Sequence, residues 1–280
     1  MMTKKNIFRI IIACMVLYLG VLGYIYLNQR TLLYHPEQEI IGLESYNMPT
    51  TEEIFLTTKD GVKIQAWYKK PDMGKEMVIF YHGNSGHIPQ RIDKLKELNA
   101  MGYGFIIPAW RGFGKSEGFP TEEGILNDAE ATIEFIKKEG YDLKKVIVIG
   151  ESLGTGIATQ MAAKHEFKGL LLITPYTTIQ DRASEIYFYI PVKYLLKDNF
   201  DTINNISKVK VPVIIIHGDN DEIIPHTHSL KIIEKVNEPK KLIIYPGINH
   251  TNYDSKTVFT EMRNFFKSLE KDTEVKVDQD

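Results

Sequence analysis

With a single cysteine, Cys14, the chain can form neither an internal disulfide nor a thiolate-ligated metal cluster. It lacks an excess of either charge: 34 basic and 36 acidic residues leave a net charge of -2 at pH 7, which argues against a dedicated nucleic-acid binder. Internal repeats and low-complexity tracts are missing too, and 43% hydrophobic with 25% charged residues excludes disordered and fibrous classes. At 280 residues it is too short for several catalytic domains. What charge there is lies unevenly. The first thirty residues hold Lys4, Lys5, Arg9 and Arg30 and no acid, so the other 250 carry 30 basic against 36 acidic residues.

From Ile7 to Leu27 the chain is almost wholly apolar, with Arg9 the one charge, and the eighteen residues from Ile10 to Leu27 carry none. A helix needs about 20 such residues to cross the hydrocarbon core of a bilayer. No small-x-small cleavage site follows the run, which continues as Tyr24, Ile25, Tyr26, Leu27, Asn28, Gln29, Arg30. Residues 7–27 therefore read as an uncleaved signal anchor. Three basic residues precede the uncharged stretch and Arg30 alone closely follows it, so the positive-inside rule puts residues 1–6 in the cytosol and the bulk of the protein on the extracytoplasmic side. Within the run Cys14 acts as a small hydrophobe.

Residues 28–53, with Pro36, Gly42 and Pro49, read as a polar connector, 271–280 as a solvated tail, and 54–270 as one domain. The domain opens with two alternating runs, 54–58 and 62–69, around an Asp60-Gly61 turn, a hairpin signature. Apolar runs typical of buried strands recur at 77–81, 104–109, 145–150, 169–174, 211–217 and 241–246, with helical periodicity near 88–101, 121–139, 152–164, 227–236 and 255–270. Strands of this kind alternating with amphipathic helices predict an α/β architecture: an eight-stranded, mainly parallel, doubly wound sheet with helices on both faces. Ligands of such sheets bind beyond the carboxyl ends of the strands.

At one of those ends the run Val146 to Ile149 leads into Gly150-Glu151-Ser152-Leu153-Gly154, and a helix of small residues follows. This is G-x-S-x-G between strand and helix, the setting in which a sharp turn pushes a serine hydroxyl out as a nucleophile. The Leu153 amide, at a helix start, would face a developing oxyanion. A second match, Gly114 to Gly118, also mimics a phosphate loop as part of Ala109 to Ser116, but Glu117, Gly118, Phe119 and Pro120 continue as a loop instead of a helix. It reads as a glycine-rich loop. A serine needs a base and an orienting acid, and both types appear later after strands: Asp219 and Asp221 follow His217, and His250 follows the Pro246-Gly247 turn. After the 77–81 strand, His82-Gly83-Asn84 would supply a second oxyanion donor through the Asn84 amide, with His82 structural. His226 and His228 lack matching carboxylates or a third histidine, so a solvent-exposed pair is expected there and no metal or other cofactor.

Together these motifs resemble the membrane-anchored serine hydrolases of the α/β-hydrolase superfamily, near the prolyl oligopeptidase and serine aminopeptidase groups, which include lysophospholipid lipases and protein depalmitoylases. The resemblance covers nearly the whole chain, including Gln29 to Pro36, His82 to Asn84, Arg111 to Gly118, Gly150 to Gly154 and His217 to Pro225. It puts the family's acid on Asp221 and its base on His250, giving the order Ser152, Asp221, His250. Two departures, Asn249 before the histidine and Ala109-Trp110 after the 104–109 strand, bear on substrate and remove no chemical group. The resemblance implies hydrolysis of carboxylic esters or thioesters, and the anchor points to a lipid or acylated substrate. A small lid is expected within 176–209, where Ile186 to Pro191 and Tyr194 to Leu196 form an aromatic and aliphatic cluster. A peptidase would instead use an acid such as Glu185, Asp198 or Asp201 to hold a substrate amine. A noncatalytic, membrane-tethered binding protein is the third reading.

Overall fold

The computed structural model describes residues 3–37, 42–253, 258 and 260–269. Eight strands form one sheet: β1 (Glu52–Thr57), β2 (Lys63–Lys69), β3 (Met77–Tyr81), β4 (Gly104–Pro108), β5 (Val146–Glu151), β6 (Gly169–Ile173), β7 (Val213–Gly218) and β8 (Lys240–Tyr245). Their spatial order is β1-β2-β4-β3-β5-β6-β7-β8, and β2 alone runs antiparallel to its neighbours. Every residue of β3, β4, β6 and β7 is buried, which is why these strands read as unbroken apolar runs: both faces are covered. Between them lie α2 (Ile92–Ala100), α3 (Glu122–Lys138), α4 (Leu153–Lys164), α5 (Ile179–Ile186), the single turn α6 (Val192–Leu195) and α7 (Thr227–Lys235). Residues 260–269 are helical and send Phe266 and Leu269 into the core. The fold is the α/β architecture expected.

The opening hairpin forms where expected. Gly61 takes φ +82°, the left-handed conformation that a tight turn needs and a Cβ resists. The glycine-rich loop after β4 packs against this hairpin. Its Ser116 hydroxyl donates to the Ala109 carbonyl and accepts from the Gln65 amide, so the second G-x-S-x-G match is a structural serine. Arg111 in the same loop bonds Asp128 of α3 through Nε and Nη2, at 2.9 and 2.8 Å, and Asp60 of the turn at 2.7 and 3.0 Å. Asp128 has no exposure to solvent. Arg111→Ala therefore leaves a buried carboxylate unpaired, and the expected loss is about 3–5 kcal/mol of unfolding free energy, read as a fall in the denaturant midpoint. An unchanged midpoint would contradict this role.

The apolar N-terminal run folds as one helix, α1 (Lys4–Leu33), capped by the Thr3 hydroxyl and with mean hydropathy 2.4 over its most apolar stretch. It is long and apolar enough to cross a bilayer by length and composition. Sequence periodicity ends the run at Leu27, but the helix continues through Gln29 and Leu33, because those residues pack on the domain. Leu22, Ile25, Gln29 and Leu33, spaced three or four apart, lie on the half-buried face, and the preceding residues 3–21 are exposed.

The junction centres on Asp198, which is buried. Its carboxylate accepts from Arg30 Nε at 2.8 Å and Nη2 at 3.1 Å, from the Tyr34 hydroxyl at 3.2 Å and from the Glu122 amide at 3.1 Å. Glu122 in turn accepts from the amides of Asn199 and Phe200, at 2.6 and 2.8 Å. One carboxylate thus joins the end of α1 to the start of α3.

Candidate active site

Strand β5 turns into α4 at Ser152, which sits at φ +52°, ψ -120°. A side-chain-bearing residue there costs about 1–3 kcal/mol and persists only where its surroundings hold it. They do: the Ser152 amide donates to the Ile173 carbonyl at 2.9 Å, and the Ser152 carbonyl accepts from the Thr155 amide and hydroxyl at 2.9 and 2.6 Å. The glycine at 154 is required by crowding, since a Cβ would lie 2.0 Å from the Tyr81 carbonyl oxygen at the end of β3.

The loops after β7 and β8 bring the other two residues to this turn. His250 Nε2 lies 3.1 Å from Ser152 Oγ, and His250 Nδ1 lies 2.7 Å from Asp221 Oδ2. The other carboxylate oxygen accepts from the Ile223 and Ile224 amides, at 2.9 and 2.8 Å. An ionised Asp221 accepts only, so His250 carries its proton on Nδ1 and offers Nε2 as the acceptor for the serine proton. Behind the carboxylate, His217 Nε2 is 2.8 Å from the Ile224 carbonyl and 3.2 Å from Asp221 Oδ2, so that nitrogen is a donor; its Nδ1 accepts from the Ser229 hydroxyl at 2.6 Å. Burial alone would raise the Asp221 pKa, but hydrogen bonds from His217, His250 and the Ile224 amide outweigh it and hold the carboxyl well below the usual carboxylate range. The rival acid Asp219 faces elsewhere and accepts from the Gly247 amide at 2.6 Å.

Leu153 opens α4, where the first amides have no acceptor within the helix. Asn84 lines the same cavity as Ser152 and Leu153. Its position depends on α1: the Asn84 side-chain amide donates to the Leu33 carbonyl at 2.6 Å, and the His35 amide donates to the Asn84 carbonyl at 2.8 Å. His82 is buried and donates from Nδ1 to the Gly83 carbonyl, with its ring against Trp110; burial lowers its pKa to about 3, so it stays neutral.

Beneath the turn, the Glu151 carboxylate is clasped by Lys94 at 2.7 Å and Arg91 at 3.2 Å. Burial alone would raise its pKa, yet these two cations bring it to about 2. Sequence reasoning passed over this cluster. An acid directly before the serine was the available signal, but nothing in the spacing of 91 and 94 pointed to it.

A cavity of about 320 Å³ opens from Ser152, of the size expected for a small-molecule site, on the order of 300–1,000 Å³. Tyr176, Ile179, Ile186, Ile190 and Leu195 line one side, within the segment expected to form a lid, and Ile25, Gln29, Leu32 and Leu33 of α1 line another. The three acids considered as amine-holding groups are engaged elsewhere. Asp198 binds Arg30 and Tyr34, Asp201 accepts from Asn204, and Glu185 contacts Arg182 and His228. The expectation of an exposed histidine pair needs correction. His228 is buried, with Nδ1 2.9 Å from the Thr177 hydroxyl and Nε2 3.2 Å from Glu185, because α7 turns it inward, and His226 precedes that helix half-buried.

Residues 73–197 match the family model described as serine aminopeptidase, S33, and residues 179–277 that of a PhoPQ-activated pathogenicity-related protein. Among curated relatives, an uncharacterized protein of Mycobacterium tuberculosis is 29% identical over 88% of this chain and 90% of its own length. An α/β-hydrolase domain-containing protein of Arabidopsis thaliana, WAV2, is 26% identical over 66% of each chain. Among solved structures, a Pyrococcus furiosus esterase aligns with TM-score 0.68 at 19% identity, covering 85% of this chain and 97% of its own. Est1E of Butyrivibrio proteoclasticus, solved with ferulic acid bound, aligns with TM-score 0.65 at 21% identity over 77% of this chain and 98% of its own.

Proposed function

We propose that this chain, which carries the α/β-hydrolase fold, is a membrane-anchored serine hydrolase of that superfamily cleaving carboxylic ester or thioester bonds of lipid or acylated substrates. The observation that carries the reading is the hydrogen-bonded series Ser152, His250, Asp221 at the inner end of an apolar cavity. His250 takes the Ser152 proton as Oγ attacks the acyl carbon, and the negative charge on the carbonyl oxygen falls to the amides of Leu153 and Asn84. The carbon to oxygen or carbon to sulfur bond then breaks, and the proton on His250 passes to the leaving alcohol or thiol. Water, deprotonated by His250, attacks the acyl-enzyme, releases the acid and restores Ser152.

Support for the anchor, residues 7–27, comes from the way α1 is built into the domain through Arg30, Tyr34 and Leu33, contacts that a segment destined for removal would not need. The charge bias places the N-terminus in the cytosol and the domain, 54–270 with its lid in 176–209, on the extracytoplasmic side. The engagement of Glu185, Asp198 and Asp201 disfavours the aminopeptidase alternative. The test is turnover by the full-length protein of nitrophenyl esters from acetate to palmitate, with an amide of matching shape alongside. A chain-length optimum among the esters is expected; faster turnover of the amide would sink the reading.

A further inference from the structure

The last three turns of α1 do more than hold the domain at a membrane. Resting on the esterase reading above, we propose that they are a wall of the acyl site, and that the acyl chain of a bilayer lipid reaches Ser152 sideways, out of the leaflet and along α1, between that helix and the lid. Two independent sets of contacts lead there. The first is the cavity lining, where Ile25, Leu32 and Leu33 of α1 face Ile186 and Leu195 of the lid across a space that ends at Ser152. Residues that both line this cavity and remain exposed mark its mouth, and they are apolar: Leu32 at 53%, Ile186 at 46% and Tyr187 at 39% exposure on the flank between α1 and the lid, with Ile223 at 55%. A mouth made this way suits a hydrocarbon chain and offers a soluble polar ester little to hold.

The second is the depth of the lid. Tyr26, with the Lys197 ammonium 4.1 Å from its ring centroid, and Arg30 supply the aromatic and basic groups that gather at the headgroup level. Yet the lid reaches past them: the Tyr18 hydroxyl donates to the Tyr189 carbonyl at 2.7 Å. Eight residues of helix separate Tyr18 from Tyr26, a rise of about 12 Å. If α1 spans the membrane, the lid tip sits below the headgroups, inside the hydrocarbon. Its surface fits that place, because Phe188, Tyr189 and Tyr194 are 85%, 56% and 82% exposed beside the mouth. The exposed aromatic cluster and the apolar mouth are then two parts of one lipid-facing surface.

Placing a bulkier ring in the wall tests the route. In full-length protein reconstituted into phosphatidylcholine vesicles, Ile25→Trp should lower the ratio of palmitoyl to acetyl ester turnover about tenfold or more, as hydrophobic-pocket discrimination allows. Leu17→Trp, on the exposed part of the same helix, should leave that ratio unchanged. Labelling of Ser152 by a small fluorophosphonate reports whether the variant is folded. If Ile25→Trp is not labelled, Ile25→Ala decides instead, and its chain-length optimum should move to longer acyl groups. An unchanged ratio in Ile25→Trp or an unchanged optimum in Ile25→Ala overturns the route. If the wild-type protein cleaves neither ester, the esterase reading itself has failed.

Discussion

Ser152→Ala is expected to lower ester turnover by about six orders of magnitude and to abolish fluorophosphonate labelling, while the thermal transition stays where it is. The size of the loss follows from what remains. Without Oγ no acyl-enzyme can form, and His250 faces a void at the position where it now meets the serine hydroxyl, 3.1 Å away. The fold should survive because the bonds that hold this strained turn are made by the Ser152 backbone, to Ile173 and Thr155, and alanine keeps both. Hydrolysis by the purified variant at the wild-type rate would remove Ser152 from the mechanism.

Asp221→Asn should cost about four orders of magnitude in turnover with little change in substrate affinity. Its two oxygens are not equivalent. Oδ1 accepts from the Ile223 and Ile224 amides, so an asparagine keeps its carbonyl oxygen there and turns its NH2 toward His250. A donor at the Oδ2 position meets His250 Nδ1 at 2.7 Å and forces the imidazole proton onto Nε2, the nitrogen that must receive the serine proton. It also opposes the His217 N–H, which lies 3.2 Å from the same oxygen. Asp219→Asn serves as the comparison, since Asp219 accepts from the Gly247 amide and has no bond to His250 among the described residues. A larger loss from the 219 variant than from the 221 variant would reverse the assignment of the acid.

Where the sequence was informative, the information was local. The hairpin turn at Gly61, the unbroken apolar strands, and the G-x-S-x-G run between strand and helix each involve residues within a few positions, and each leaves a pattern in composition or spacing. The order Ser152, Asp221, His250 was legible because a doubly wound sheet delivers its loops to one edge in chain order. The choice of Asp221 over Asp219 leaned on the family resemblance, since two carboxylates two residues apart differ only in which way the loop aims them. Periodicity could not reveal that α1 continues to Leu33. That extension exists because Asp198, 168 positions after Arg30, supplies a carboxylate for it, and pairings across such separations leave no local trace. His228 was misjudged for a similar reason: its burial depends on Thr177 and Glu185, which belong to a different part of the chain.

Asp198 also sets a limit on modularity. Membrane tethers are often treated as interchangeable, with one apolar helix as good as another for delivering a domain to a surface. Here the apolar helix leads into a guanidinium and a phenol that neutralise and solvate a carboxylate lodged beside the start of α3. A foreign helix of equal length and hydropathy would match it in bulk and leave that charge without its counterpart. The segment up to residue 34 thus meets two demands at once, bulk hydrophobicity along residues 7–27 and particular side chains at its end. An exchange of one apolar residue for another in the first part costs little, whereas loss of Arg30 or Tyr34 removes a partner of Asp198.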